Sequence, residues 1–136
     1  MTIYSIKSKL NPDEILASVI TAGAKAGRVD ASDHTEILQV STMTLPQGKV
    51  LKSHKHNPVK RSTVGTQEAW LVISGQLQAQ VFDTDNTMVE ELILTAGQCM
   101  TLFRGGHTFT VLTDDTVIFE IKNGPYYGPE IDSEAI

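Results

Sequence analysis

The sequence predicts an all-β chain folded as a small β-barrel or double-sheet jelly roll, on three observations. From Glu36 to Ile121 it is a succession of short runs rich in β-branched and apolar residues. Gly, Asp or Pro turns divide the runs at regular intervals, as in Pro46-Gln47-Gly48, Ser74-Gly75, Gly105-Gly106 and Asp114-Asp115. Several runs also alternate polar with apolar residues: Gln76–Phe82 sets three glutamines against Leu77, Ala79 and Val81, the period of a half-buried strand.

Taken in order, Tyr4, Ile6 and Leu10 mark an edge strand within the first ten residues. Asn11-Pro12-Asp13-Glu14 then reads as a helix start, with Asn as N-cap, Pro at the first helical position and Glu at the third. Ile15, Leu16, Val19, Ile20 and Ala24 recur at near-helical spacing, so one helix is expected over about 12–25, with Gly27 to end it. Ile37–Leu45 reads as the first barrel strand, and a strand bearing His54 follows the turn at Gly48. Asn57–Thr66, with Pro58, Gly65 and several hydroxyl or amide side chains, reads as a loop. Strands are expected at Glu68–Ile73, Gln76–Phe82, Val89–Leu94, Cys99–Phe103, Thr108–Leu112 and Thr116–Ile121. The Asp/Asn cluster at Asp83–Thr87 lacks the other ligands of a calcium loop and is read as a hairpin turn. The tail, residues 123–136, is expected to lie extended over the surface, with Tyr126 or Tyr127 packed on the barrel or a second subunit.

With 136 residues the chain fits one domain: a barrel core at about 36–122, an N-terminal strand and helix at 1–35, and the tail. A single cysteine excludes an intramolecular disulfide. Neither a signal-peptide apolar region nor a run of membrane-spanning length is present, so a soluble, cytoplasmic protein is expected, with no membrane partner. The formal charge of −5 argues against nucleic acid as a partner. Charge is unevenly spread, however. No acid occurs from Ile37 to Gln67, where Lys49, Lys52, Lys55, Lys60 and Arg61 supply five of the eleven basic residues. A solvated strand edge and loop is the reading for the alternating lysines; around a ligand site the same stretch would also be a basic rim that steers anionic small molecules.

The chemistry centres on His54-Lys55-His56. In an extended strand, imidazoles at i and i+2 project from one face and form a pincer for one cation. Glu68, which opens an apolar strand, and His107, which follows Gly105-Gly106, are the groups available to complete a coordination shell. The alternative is that the histidines act as acid/base groups or satisfy polar needs of the barrel. Trp70 shares the strand parity of Glu68, and Phe109 that of His107, so inward-facing ligands bring these aromatics inward as a pocket wall or as core filling. Arg61 and Arg104 are candidates to grip a carboxylate or phosphate, against the alternative of solvent-exposed arginines. Cys99 reads as an inert buried thiol and His34 as a surface histidine.

Gly48, His54-x-His56, Glu68 and Gly75, followed by Gly97 and Phe103-Arg104-Gly105-Gly106-His107, resemble the two motifs of the cupin superfamily. The close Glu120-Ile121-Lys122-x-Gly124-Pro125-Tyr126 is similar to small single-domain cupins, many associated with bacterial surface-sugar pathways. The spacer between His56 and Glu68 is longer than the family's, Phe103 stands where a proline is usual, and one residue is missing before His107. The resemblance implies a double-stranded β-helix (jelly-roll) barrel with one short N-terminal helix, and one divalent transition metal ion (Fe, Mn, Ni or Zn) on His54, His56, Glu68 and His107. It also implies a homodimer. The expected function is metal-dependent chemistry of the isomerase, epimerase or oxygenase type on a small anionic or sugar-like substrate held by Arg61, Trp70, Arg104 and Phe109. The alternative is a non-catalytic cupin that binds or senses a sugar-like ligand. No residue pattern singles out a catalytic acid or base.

Overall fold

The computed structural model describes residues 3–136, and Met1 and Thr2 lie outside the described residues. Ten strands carry the architecture: β1 Ile3–Lys7, β2 Ile15–Thr21, β3 Gly27–Asp30, β4 Ser41–Thr44, β5 Glu68–Ser74, β6 Gln76–Phe82, β7 Met88–Thr95, β8 Gln98–Leu102, β9 Gly106–Val111 and β10 Val117–Lys122. One short helix, α1, spans Pro129–Asp132. All pairings are antiparallel. A five-stranded sheet has the order β1-β2-β8-β5-β10, a three-stranded sheet the order β7-β6-β9, and β3 and β4 form a separate hairpin. The all-β expectation holds; the two main sheets stack, and they do not close into a barrel.

The core lies between those sheets. Leu77, Ala79 and Val81 of β6 are fully buried, as their alternation with glutamines predicts, and meet Trp70 and Val72 of β5 and Met100 and Leu102 of β8. The outward glutamines contribute too: Gln78 and Gln80 each donate to the Glu91 carboxylate across the β6–β7 pair, at 2.7 and 2.6 Å. The chain passes from the large sheet to the small one at Gly75, and does so a second time through the β8–β9 connection at Gly105. Both glycines have positive φ, and a Cβ on Gly105 would lie 2.2 Å from the Phe82 carbonyl oxygen.

The helix expected over 12–25 is corrected. Asn11–Glu14 makes a turn, closed by the Glu14 amide donating to the Asn11 carbonyl at 2.9 Å, and β2 follows. β2 is an interior strand between β1 and β8, and Leu16 to Ile20 are all buried. A strand buried on both faces has no period-two pattern to read, and its apolar positions can fall at helical spacing by accident. The β-branched residues Val19, Ile20 and Thr21 favour the extended form. Gly27, expected to cap the helix, instead opens β3. In the tail, α1 interrupts what was expected to be extended chain.

One side of the stack is pinned where β1 meets the small sheet. The Tyr4 hydroxyl donates to the Glu90 carboxylate. The Asp83 carboxylate, buried at the end of β6, accepts from the Ser8 hydroxyl at 2.9 and 3.0 Å, the Lys9 amide at 2.7 Å and the Thr84 amide at 2.9 Å. Burial alone would raise the pKa of this acid, but the ring of donors outweighs it and holds Asp83 below the usual carboxylate range.

Two predictions follow from these contacts. Gly97 has positive φ but open space around its Cβ position, so Gly97→Ala should cost about 1 kcal/mol in denaturant unfolding, the strain of a left-handed residue. Gly105→Ala adds a backbone clash and should cost on the order of 1–3 kcal/mol more. Equal losses for the two variants would contradict the close approach to Phe82. For Asp83 the lowered folded-state pKa means its stabilisation is present above the unfolded carboxylate value and is lost as pH falls through the folded value. Asp83→Asn should therefore melt below wild type at pH 7, with the gap narrowing in acid below the ordinary aspartate range.

Candidate functional site

Glu68 is the first residue of β5, and the antiparallel register sets Lys122, the last residue of β10, directly opposite it. His107 approaches from the other sheet, near the start of β9. Two sheet ends thus deliver a carboxylate, a lysine and an imidazole to one end of the stack. The His107 Nε2 lies 3.6 Å from Glu68 Oε2, an electrostatic contact longer than a hydrogen bond, and the Lys122 Nζ lies 4.0 Å from the same oxygen. The other oxygen, Oε1, accepts from the indole Nε1 of Trp70, two residues along the same face of β5. Only 13% of the Glu68 side chain remains exposed. Burial acts to raise its pKa, but the approach of His107, the Trp70 donor and the nearby Lys122 ammonium together hold it below the usual glutamate value. The group is an ionised, partly desolvated carboxylate at neutral pH.

Aromatic packing fixes the imidazole's surroundings. Trp70 meets His107 edge-to-face with centroids 5.2 Å apart and Phe109 likewise at 4.9 Å. Trp70 and Phe109 therefore stand beside Glu68 and His107, as strand parity predicts, and both also belong to the core between the sheets. In front of the cluster is a cleft of about 620 Å³, lined by Glu68, His107, Lys122 and Tyr126 and bordered by the tail. The tail is tied across it: Thr66 donates to Asp132 at 2.7 Å, and the Ile136 side chain packs against Gly106. Tyr126 lies under the Lys122 ammonium, 4.9 Å from ring centroid to Nζ.

The other predicted site residues lie elsewhere. His54 and His56 are on an exposed segment with no regular structure in place of the expected strand, with ring centroids 5.2 Å apart. Arg61 is on the same segment and donates to the Val59 carbonyl at 3.3 Å. Arg104 faces away from the cleft; its guanidinium binds Glu36 with contacts of 2.7 and 2.8 Å and approaches Glu14 at 3.4 Å, so its donors are engaged within the chain. Among the described residues no three His, Cys, Asp or Glu side chains are close enough together to hold a metal ion. The four expected ligands are present as two pairs, Glu68 with His107 in the cleft and His54 with His56 outside it. Cys99 is half-buried, and burial raises its thiol pKa to about 11, consistent with an unreactive cysteine.

Lys122 and the tail contacts escaped the sequence reading, and Tyr126, expected only to pack on the barrel or a second subunit, lines the cleft. Lys122 was recoverable in principle, because a strand of β10's length paired antiparallel with β5 brings its end to Glu68. Nothing local marks the tail as part of the cleft.

Trp70→Phe keeps one aromatic ring, deletes the indole donor and leaves core volume unfilled. It should cost about 1.5–3 kcal/mol, the range for a hydrogen bond to a charged group, and should raise the Glu68 pKa toward the ordinary glutamate value. Carboxyl-carbon NMR titration reads the second effect, and an unchanged Glu68 titration would show that the indole contact does not govern the carboxylate.

No family model, curated protein or solved structure matches the chain. No helix among the described residues is long and apolar enough to cross a membrane.

Proposed function

We propose that the cleft at Glu68 and His107 binds a small anionic or sugar-like molecule in a cupin-type metal site, with His54 and His56 as the remaining ligands of one divalent transition metal ion. The observation that carries this reading is the meeting of Glu68 and His107 from two different sheets, with His107 packed on the buried Trp70 and both facing a cleft of small-molecule size. Three imidazoles and a carboxylate form a borderline-soft donor set suited to Fe, Mn, Ni or Zn. A metal ion so held would polarise a carbonyl or activate a water. The chain's own contribution is to keep Glu68 ionised, orient His107 against Trp70, and hold Lys122, paired with Glu120 at 2.9 Å, at the edge of the cleft.

The open arrangement of two stacked antiparallel sheets supports the jelly-roll reading through its order of pairings: β5 pairs with β8 and β10 in one sheet, and β6 with β7 and β9 in the other. Successive strands cross between sheets at Gly75 and Gly105, as a double-sheet roll requires. We place the protein in the isomerase, epimerase or oxygenase range of such sites, in a cytoplasmic setting.

A second reading rests on the 3.6 Å approach of His107 to Glu68. Without metal, the pair is a carboxylate-supported imidazole, which is an acid/base group for proton transfer on a small ligand.

Elemental analysis after reconstitution with Fe, Mn, Ni and Zn salts separates the two. The metal reading expects about one ion per chain, lost in Glu68→Gln, His107→Ala and His54→Ala alike. Retention of no metal by the folded wild type would leave the second reading, for which His107→Ala, but not His54→Ala, should abolish ligand binding in a thermal-shift screen of sugars and nucleotide-linked sugars.

A further inference from the structure

The mouth of the cleft is crossed by the chain's own tail. Its root is firm: the Asn123 side chain accepts from the Gln67 amide at 2.7 Å and donates to the Gly65 carbonyl at 3.2 Å. Farther along, two contacts fasten it. Asp132 accepts from Thr66, which precedes β5 of the large sheet, and Ile136 Cδ1 fills the space that a Cβ on Gly106 of the small sheet would need. The tail therefore runs as a strap from one sheet to the other, and Asp132, Ser133, Glu134 and Ile136 supply its share of the cleft lining.

The strap is thinly held. Among the described residues, the backbone hydrogen bonds of 128–136 stay within its own turn, from the Ile131 and Asp132 amides to the Gly128 carbonyl and from the Ser133 amide to the Pro129 carbonyl. Residues 129–136 are all exposed, and α1 buries none of its four. A helix of one turn is not stable by itself, and a segment with few buried contacts and exposed hydrogen bonds opens locally at small cost. Gly124 and Gly128 provide backbone freedom for that opening next to the fixed root at Asn123.

The strap is also acidic. Residues 128–136 include Glu130, Asp132 and Glu134 and no basic residue. Asp132 and Glu134 reach the lining, where the body already contributes Glu68 and Asp83. Against these four acids the lining sets His107 and Lys122, and the Lys122 ammonium is held by Glu120 at 2.9 Å. With the tail in place the cleft is an enclosure of negative charge, and a low-dielectric wall strengthens its repulsion of an anion.

We infer that residues 128–136 are an acidic lid, which closes the cleft over an uncharged, sugar-like ligand and has to swing away before an anion can reach His107. This rests on the reading of the cleft as a small-molecule site. Of the two ligand classes proposed above, it selects the neutral one, and it needs no metal.

The test is alkylation of His107 in metal-free protein by two reagents of matched size, neutral iodoacetamide and anionic iodoacetate, with rates read by peptide mass mapping. The exposed His34, His54 and His56 are internal standards. A chain ending at Tyr127 loses no buried residue and should keep the wild-type circular dichroism spectrum. Its His107 should react about threefold faster with iodoacetamide and about tenfold faster with iodoacetate, with the standards unchanged. Thr66→Val with Ile136→Ala releases the two fastenings in the whole chain and should raise both rates as well. Asp132→Asn with Glu134→Gln keeps the strap and the acceptor for Thr66 but removes its charge, so it should raise the iodoacetate rate alone. His107 rates unchanged in both the truncation and the Thr66→Val, Ile136→Ala variant overturn the lid. Equal gains with the two reagents on truncation, or no gain with iodoacetate in the Asp132→Asn, Glu134→Gln variant, overturn the selection against anions. Since neither metal nor ligand takes part, a positive result beside an elemental analysis without metal places the failure in the metal reading alone.

Discussion

A stack of two sheets has two rims, where unpaired backbone groups and apolar side chains meet solvent unless another part of the chain covers them. That constraint organises this structure. On one side β1 and the residues after it reach the small sheet, and the buried Asp83 carboxylate gathers the Ser8 hydroxyl and the Lys9 amide around one charge. An acid in that position is tolerated only because its lone pairs are filled. On the other side the free edges of β9 and β10 leave Phe119 and its neighbours in solvent.

The cleft depends on the same stacking. Glu68 and His107 are on different sheets, and their approach is fixed by the packing of Trp70 against both the imidazole and Phe109. The indole does two jobs: its ring fills core between the sheets, and its N–H holds one oxygen of Glu68. The carboxylate's charge is thereby coupled to the integrity of the sandwich, so loosening the Trp70 packing would change the ionisation of the site as well as the stability of the fold.

How much of this the sequence disclosed varied with how local the signal was. β5 to β10 were legible because each shows alternation or a short apolar run and ends at a Gly or Asp turn whose backbone demand is local. β2 was misread because its burial on both faces erased the alternation and left an apolar spacing that a helix also satisfies. The parity argument placed Trp70 with Glu68 and Phe109 with His107, and the structure brings all four together. Arg104 shows the limit of that method: a turn arginine looks free in sequence, yet Glu36, distant along the chain, takes its guanidinium. Asp83 likewise read as an ordinary turn residue, because the Ser8 that binds it is close only after folding. Side chains whose role is set by partners far away in sequence carry no local mark.

The histidines at 54 and 56 follow the same logic in reverse. Their spacing is a sound reason to expect a shared face if the segment is a strand, but a strand exists only where another strand accepts its hydrogen bonds. Within one copy no neighbour does, and the segment has no regular structure.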